Sequence, residues 1–291
     1  MSFNQIKEYC LDYILKNKGS SPDLAGFSLF QRERPSKFEA FVYRPVICVI
    51  LQGSKSVSLG EHHFDLQEGN ALLVSHDLPM TASITKASRD KPYLAAIIAL
   101  DLAVLRSLYS QIGEIAKEEP QYALSAAAPD PLWLDPVGRY IKLLESERDA
   151  EILGASILHE IHYRLLQSPI GASLRNLLSI NSKASRISNA LSHLQNDFRE
   201  ALNVNELAQI AAMSTSAFYE SFKTITGTTP LQYQKELRLS QAKAMLENSK
   251  KSVSETCFSV GYESLSHFSR DYKRKFGCSP SQAAAKDSDF A

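Results

Sequence analysis

Four cationic side chains, Arg270, Lys273, Arg274 and Lys275, crowd together near the end of the chain with only Asp271 opposing them. A guanidinium fork pairs with guanine O6 and N7 or clamps a phosphate, and ammonium groups neutralise phosphates. The same composition also makes an ordinary solvated helix face. The histidines offer a different chemistry. His62-His63, with Glu68 and His76 downstream, has the residue types of a metal site. Adjacent strand residues point to opposite faces, however, so the pair cannot readily serve one ion. His159-Glu160-Ile161-His162 is one residue short of the helical zinc box, whose histidines stand four apart. No third ligand follows it nearby. Neither a Gly-rich phosphate loop, nor a Gly-x-Ser-x-Gly elbow, nor a triad order is present. The expectation is a protein without catalytic residues, metal or cofactor. Four scattered cysteines (Cys10, Cys48, Cys257, Cys278) form no CxxC pair, which suits a reducing cytosol. Cys48 in an apolar run and Cys257 in a small-residue slot read as buried packing thiols.

The elements that must position the cationic residues come in duplicate. Ser214, Ser216, Phe218, Lys223, Gly227 and Pro230 recur 50 residues later as Ser264, Ser266, Phe268, Lys273, Gly277 and Pro280. Upstream, Val204-x-x-Leu207-Ala208-x-x-Ala211 recurs 49 residues later as Val253-x-x-Thr256-Cys257-x-x-Val260. The one-residue offset falls between the blocks, where a turn belongs, so each copy is a short helix, a tight turn and a second helix. Small Ala208 and Cys257 let the helices cross closely, and Gly261 supplies a positive φ to the second turn. Ser214 and Ser264 are N-caps for the second helices, and Gly227 and Gly277 are their C-caps. Phe218 and Phe222, like Phe268 and Tyr272, lie four apart and form the buried stripes. A good helix-forming segment, 232–247, joins the copies. About eighteen residues at about 1.5 Å each span roughly 27 Å, enough with the flanking turns to hold two helices about one DNA turn apart.

On the second helix of the second copy, Phe268 and Tyr272 face inward, which leaves Leu265, Ser266, Ser269 and Arg270 facing out. Arg270 is the candidate base contact, with a phosphate clamp or a pair with Glu263 as alternatives. The candidate DNA-facing residues are Ser214, Thr215, Ser216, Ala217, Tyr219, Glu220 and Lys223 in the first copy. In the second copy they are Ser264, Leu265, Ser266, Ser269, Arg270 and Lys273, with Lys223 and Lys273 on phosphates. Against this stands a net charge of zero, where DNA binders usually carry a basic excess. Residues 185–291 hold 13 Lys+Arg against 11 Asp+Glu, a small tilt.

The rest of the chain has another character. Residues 4–17 read as a helix. Between about 27 and 101, runs at 46–51, 54–59, 62–66, 71–74 and 93–100 alternate or are continuously apolar, with turn residues between them, which predicts an antiparallel barrel or sandwich. Helices are expected over 102–117, 131–146, 149–167 and 170–178, followed by a short linker at 179–184. Helices 102–117 and 131–167 carry more apolar residues than a monomer face needs and are candidates for a dimer surface. No run of eighteen apolar residues and no signal-peptide layout is seen, so the expectation is a cytoplasmic protein without a membrane partner.

The repeat resembles the AraC/XylS family of transcription regulators. The second copy carries the signature as Val260-Gly261-Tyr262-Glu263-Ser264-x-Ser266-x-Phe268-Ser269-Arg270-x-Tyr272-Lys273, then Phe276-Gly277-x-Ser279-Pro280. The first carries Leu207-Ala208, Met213-Ser214-x-Ser216, Phe218, Phe222-Lys223 and Thr226-Gly227-x-Thr229-Pro230. Leu51-Gln52-Gly53-x-Lys55, Leu78-Pro79 and Lys91-Pro92-Tyr93-Leu94 resemble the sensor half of one branch of that family. The resemblance implies an α+β protein: a cupin-like antiparallel β-barrel with flanking helices over residues 1–180, and an all-α domain of two helix-turn-helix units over 185–285. It implies double-stranded DNA, RNA polymerase, a small-molecule effector in the barrel and a second copy of the chain as partners. Two departures stand out: Glu220 where relatives often carry a basic residue, and Gln282-Ala283 where an Arg is common. The rival readings are a metal-dependent cupin-type enzyme with a helical appendage, and a helical module that binds protein.

Overall fold

Strand β3 (Val46–Gln52) explains the architecture around it. Six consecutive apolar residues are buried or half-buried because both faces of the strand are covered. Ile47, Val49 and Leu51 enter one core, and Cys48 and Ile50 enter another. A continuously apolar strand of this kind belongs between two layers. The computed structural model describes residues 1–17, 22–60, 62–113, 122–180, 182–248 and 251–285.

Helix α1 (Phe3–Lys16) starts at a capping box between Ser2 and Gln5. The strands that follow are β1 (Phe27–Arg32), β2 (Glu39–Tyr43), β3, β4 (Ser54–Leu59), β5 (His62–Gln67), β6 (Ala71–Val74), β7 (Leu78–Lys86) and β8 (Tyr93–Ala99). After α2 (Leu102–Ile112) comes the short β9 (Leu124–Ala127). All pairings are antiparallel and fall into two sheets, β1-β8-β3-β6-β9 and β2-β7-β4-β5. The expected antiparallel barrel or sandwich takes the form of two separate sheets. The chain crosses between them without closing a continuous ring of hydrogen bonds. The sequence runs predicted five of the nine strands found among the described residues. β1, β2, β7 and β9 were not singled out, because they are amphipathic, interrupted by Pro79, or very short.

The outer face of the five-stranded sheet is covered by α1, α2, α3 (Pro131–Lys142), α4 (Glu147–Gln167) and α5 (Ala172–Leu178), around Trp133, Tyr140 and Ile161. Helix α2 is shorter than the expected 102–117. It ends before Gly113, whose φ is +77°, and 114–117 lie outside the described residues. The expected 131–146 helix tightens into a 3₁₀ turn at Leu143–Glu145, and 170–178 begins with another at Pro169–Gly171. The expected linker is brief: α6 (Lys183–Asn196) begins at Ser182, whose hydroxyl accepts from Ser185 N at 2.9 Å.

The remaining helices are α7 (Val204–Ile210), α8 (Thr215–Thr226), α9 (Pro230–Asn248), α10 (Val253–Ser259), α11 (Leu265–Phe276) and α12 (Pro280–Ala285). The second core does not stop at the boundary near residue 180. It joins Val57, Leu59, Leu66 and Tyr93 of the strands to Ile187, Leu191, Phe218, Phe222 and Tyr233 of the helices. A third, smaller core gathers Leu239, Leu246, Cys257, Val260, Phe268 and Tyr272.

Candidate nucleic-acid interface

The two repeats fold as paired helices, α7–α8 and α10–α11. Each second helix begins at its serine: Ser214 Oγ accepts from Ala217 N at 3.3 Å, and Ser264 Oγ accepts from His267 N at 3.4 Å. Each ends at a left-handed glycine, Gly227 (φ +69°) or Gly277 (φ +74°). Phe218, Phe222, Phe268 and Tyr272 are fully buried, as the four-residue spacing requires. Pro230 and Pro280 do more than stop the preceding helix. Each is the first residue of the next one, where a missing N–H costs nothing. Gln282, the departure from the family pattern, accepts from Ser279 N at 2.9 Å and so caps α12.

The turns differ. Gly261 sits at φ +84°, and its counterpart 49 residues earlier, Ala212, holds φ +48°, the one positive-φ non-glycine among the described residues. A Cβ on Gly261 would collide with the Arg199 backbone. The Ala212 carbonyl accepts from Arg186 Nη1 at 3.0 Å. The strain at Ala212 was not readable from residue type, because alanine gives no turn signal.

Of the candidate residues, Ser214, Thr215, Ser216, Ala217, Tyr219, Glu220 and Lys223 are exposed around α8. Leu265, Ser266, Arg270 and Lys273 are exposed on α11, with Ser264 and Ser269 half-buried there. Ser264 Oγ and Ser266 Oγ are 2.9 Å apart and hydrogen-bonded. The cationic run does not act as one patch. Lys275 is largely buried and ion-paired with Glu236, and it also donates to the Glu236 carbonyl at 3.1 Å and to Ser240 Oγ at 3.3 Å. Arg274 leans on buried Asp271 at 2.9 Å, and Lys235 approaches the same carboxylate at 2.6 Å. The Lys275–Glu236 and Lys235–Asp271 pairs fasten α11 to α9, and Arg270 and Lys273 are left to solvent. Burial pushes the Lys275 pKa down, against the pull of Glu236. Arg238, also unmarked in the sequence, secures α9 by donating to the carbonyls of Phe198, Arg199 and Glu200 at 2.7–3.0 Å.

The first unit is bonded to the sheets. Ala123 N donates to the Ile225 carbonyl at 3.2 Å, and Tyr233 Oη donates to the Asp77 carbonyl at 2.7 Å. His76 Nε2 donates to the Ala184 carbonyl at 3.3 Å. Gly60, in the β4–β5 turn, meets Gly227 so closely that a Cβ on either would overlap the other's neighbourhood. His62 and Tyr122 share a depression with Tyr219, Glu220 and Lys223 on the flank of α8.

Three of the histidines considered as ligands are engaged in other hydrogen bonds. His63 Nδ1 lies 2.7 Å from Ser58 Oγ, His76 Nδ1 lies 2.8 Å from Ser75 Oγ, and His162 Nε2 accepts from Asp101 N at 2.8 Å. Among the described residues no three His, Cys, Asp or Glu side chains converge as a metal site. Cys48 and Cys257 are buried, as read from the sequence.

Between the two sheets lies a cavity of about 430 Å³ with a mouth to solvent. Phe30, Cys48 and Tyr93 line it from one sheet, and Phe41, Tyr43 and Lys55 from the other. The Leu51-Gln52-Gly53-x-Lys55 motif builds this corner. Gln52 Nε2 donates to the Pro92 carbonyl at 2.8 Å, Gly53 (φ +79°) turns the chain against Tyr93, and Lys55 points inward. No effector residue was assigned from sequence, although Lys55 was within the motif that resembles the family.

Two sheets enclosing a cavity, followed by a duplicated helix-turn-helix, define a cavity-bearing N-terminal part joined to a DNA-reading module. Comparison with known proteins agrees. The pattern described as AraC-type transcriptional regulator N-terminus matches residues 23–173, and a helix-turn-helix domain pattern matches 207–286. The chain belongs to the AraC family of DNA-binding transcription regulators. It is 26% identical over 247 residues to the virulence regulon transcriptional activator VirF of Yersinia enterocolitica, covering 81% of this chain and 87% of VirF. It is 35% identical over 95 residues to the transcriptional activator RhaS of Escherichia fergusonii, covering 33% of this chain and 34% of RhaS. In fold it is similar to ToxT from Vibrio cholerae bound to an unsaturated fatty acid. The TM-score is 0.57 at 12% identity, over 91% of this chain and 96% of ToxT. No helix among the described residues is long and apolar enough to cross a membrane.

Proposed function

We propose that this chain regulates transcription by reading DNA with α8 and α11 under the control of a small molecule held between its two sheets. Arg270 contacts a base edge, Lys223 and Lys273 contact phosphates, and Ser216, Tyr219, Ser266 and Ser269 complete the reading surface. Glu220 disfavours phosphate and suits cytosine N4, so the first unit reads bases with less help from charge. The working division is a sensor over 1–180 and a DNA-binding part over 185–285. The chain acts in the cytoplasm as a regulator, without an enzymatic step. RNA polymerase is its partner at promoters, and a second copy docks along α4, where Ile152 and Leu153 are exposed.

The observation that carries this reading is the placement of the polar and cationic candidates on the outer faces of two capped second helices whose aromatic stripes are buried. The sheet cavity supports the effector. Strand β2 supports a route from it, because Phe41 lines the cavity and also lies 5.9 Å from Lys243 Nζ of α9. An effector moves the equilibrium only by the difference in its affinity for the two arrangements. DNA affinity measured across salt tests the reading. Several phosphate contacts predict a steep linear fall of log affinity with log salt. A flat dependence, or no preference among sequences, overturns it.

A further inference from the structure

Lys55 is 5% exposed and sits inside an otherwise apolar and aromatic cavity. Its ammonium donates to Cys48 Sγ at 3.6 Å and lies 5.7 Å from the centroid of the Tyr43 ring. These are weak partners for a charge, and among the described residues Lys55 makes no ion pair with a carboxylate. Burial works against the ammonium, but the Cys48 and Tyr43 groups facing it outweigh burial and hold its pKa above the ordinary value. An ammonium in this place has no anion beside it, and a buried cation without an anion is costly. The cavity wall repeats the imbalance: Arg32, Arg44 and Lys55 face a single carboxylate, Glu39. Phe30, Phe41, Tyr43, Tyr93, Ile84 and Ile97 supply the apolar remainder.

We propose that the cavity takes an amphipathic organic carboxylate, with its apolar body between the aromatic side chains and its carboxylate on Lys55 Nζ. The inference rests on the effector reading above and names the chemical class of that effector. A neutral ligand of the same shape would fill the same space but leave the ammonium without a counter-charge. A polyanion would bring more charge than one buried cation can match. A monocarboxylate on a body of ring or medium-chain size satisfies both the charge and the surroundings.

The test is calorimetric titration of the full chain with octanoate and 3-phenylpropanoate, each paired with its alcohol, 1-octanol or 3-phenylpropanol. Each acid is expected to bind one per chain, at least tenfold tighter than its alcohol. Lys55→Met is expected to bring acid and alcohol within about twofold of each other while alcohol binding persists, and Lys55→Arg to retain the preference for acids. The empty Lys55→Met protein is expected to melt above the wild type, because a buried lone charge has been removed. Equal affinity for acid and alcohol in the wild type, a preference that survives in Lys55→Met, or no binding of any of the four probes overturns the proposal. Sequence-specific DNA binding by the same ligand-free samples separates the two levels. If it is intact, such a result removes the carboxylate assignment alone; if it is absent, the regulator reading fails with it.

Discussion

The two helix-turn-helix units share caps, aromatic stripes and terminal glycines, yet they sit in different mechanical surroundings. The first has no core of its own. Phe218, Phe222 and Tyr233 belong to the same apolar cluster as Val57, Leu59 and Tyr93 of the sheets. Hydrogen bonds from Ala123, Tyr233 and His76 cross the same boundary. The second unit packs on α9 and α12 around a small core of eight buried residues and is fastened by ion pairs of Asp271 and Lys275. Duplicated sequence thus yields one unit that shares the core of the sheets and one with a small core of its own. The charges divide the same way: position 220 is Glu and its counterpart 270 is Arg. The sheets reach α8 through that shared core and α11 through β2, and of the two paired positions only the one on α11 carries an exposed cation.

The largest effect that can break this contrast comes from emptying the two cores. Phe218→Ala and Phe268→Ala should each cost about 3–5 kcal/mol at the site of the change. Calorimetry and hydrogen exchange should differ in extent. Phe218→Ala should loosen the sheets together with α7–α8, and Phe268→Ala should loosen α10–α12 alone. Identical exchange patterns for the two variants would show that the molecule has one cooperative core.

Next in size is a dependence on pH at the boundary between the sheets and α6. Burial depresses the His76 pKa from 6.5 to about 4. The folded state therefore favours the neutral ring. The associated stability is complete above pH 6.5 and is lost as pH falls from about 6.5 to about 4. At about 1.4 kcal/mol per pKa unit, the loss approaches 3 kcal/mol. His162, likewise lowered chiefly by burial, adds in the same direction. Urea midpoints measured across pH should fall in that window, with His76→Gln giving a shallower fall. The core of the second unit contains no histidine, so exchange in α10–α12 should respond less.

Much of this organisation was legible in the sequence. Paired positions at fixed offsets carried the helix-turn-helix units, because caps, aromatics and C-terminal glycines each have a local physical reason. Runs such as 46–51 and 71–74 gave strands, because both of their faces are buried. What was hidden depends on contacts between distant segments. Lys275 reads as part of a basic patch until Glu236 is seen beneath it. Gly60 and Gly227 read as a turn and a cap, without sign that they meet. Strand β2, short and amphipathic between Pro35 and Pro45, gave no periodic signal, yet it walls the cavity and touches α9.

On DNA, Arg270→Ala should cost about 1–3 kcal/mol of affinity and relax preference at one base pair. Glu220→Gln should leave affinity equal or a few-fold higher, since it removes a negative charge from the face proposed to meet DNA. Equilibrium binding to a selected site and its single-base variants measures both, and equal losses would erase the distinction between the units. Smaller still are the turn exchanges. Gly261→Ala should cost about 1–2 kcal/mol from the left-handed backbone, before its collision with the Arg199 backbone is counted. Ala212→Gly should gain about 0.5–1 kcal/mol, as strain is relieved against added unfolded-state entropy. Thermal melts of the two variants should move in opposite directions.

Hydroxyl-radical footprinting of the full chain on a selected operator tests most directly whether both units read DNA. Two protected segments on one face of the duplex, about ten base pairs apart, are expected, with Arg270→Ala weakening the segment under α11 and sparing the other. A single protected segment, or a footprint that Arg270→Ala leaves unchanged, would contradict it.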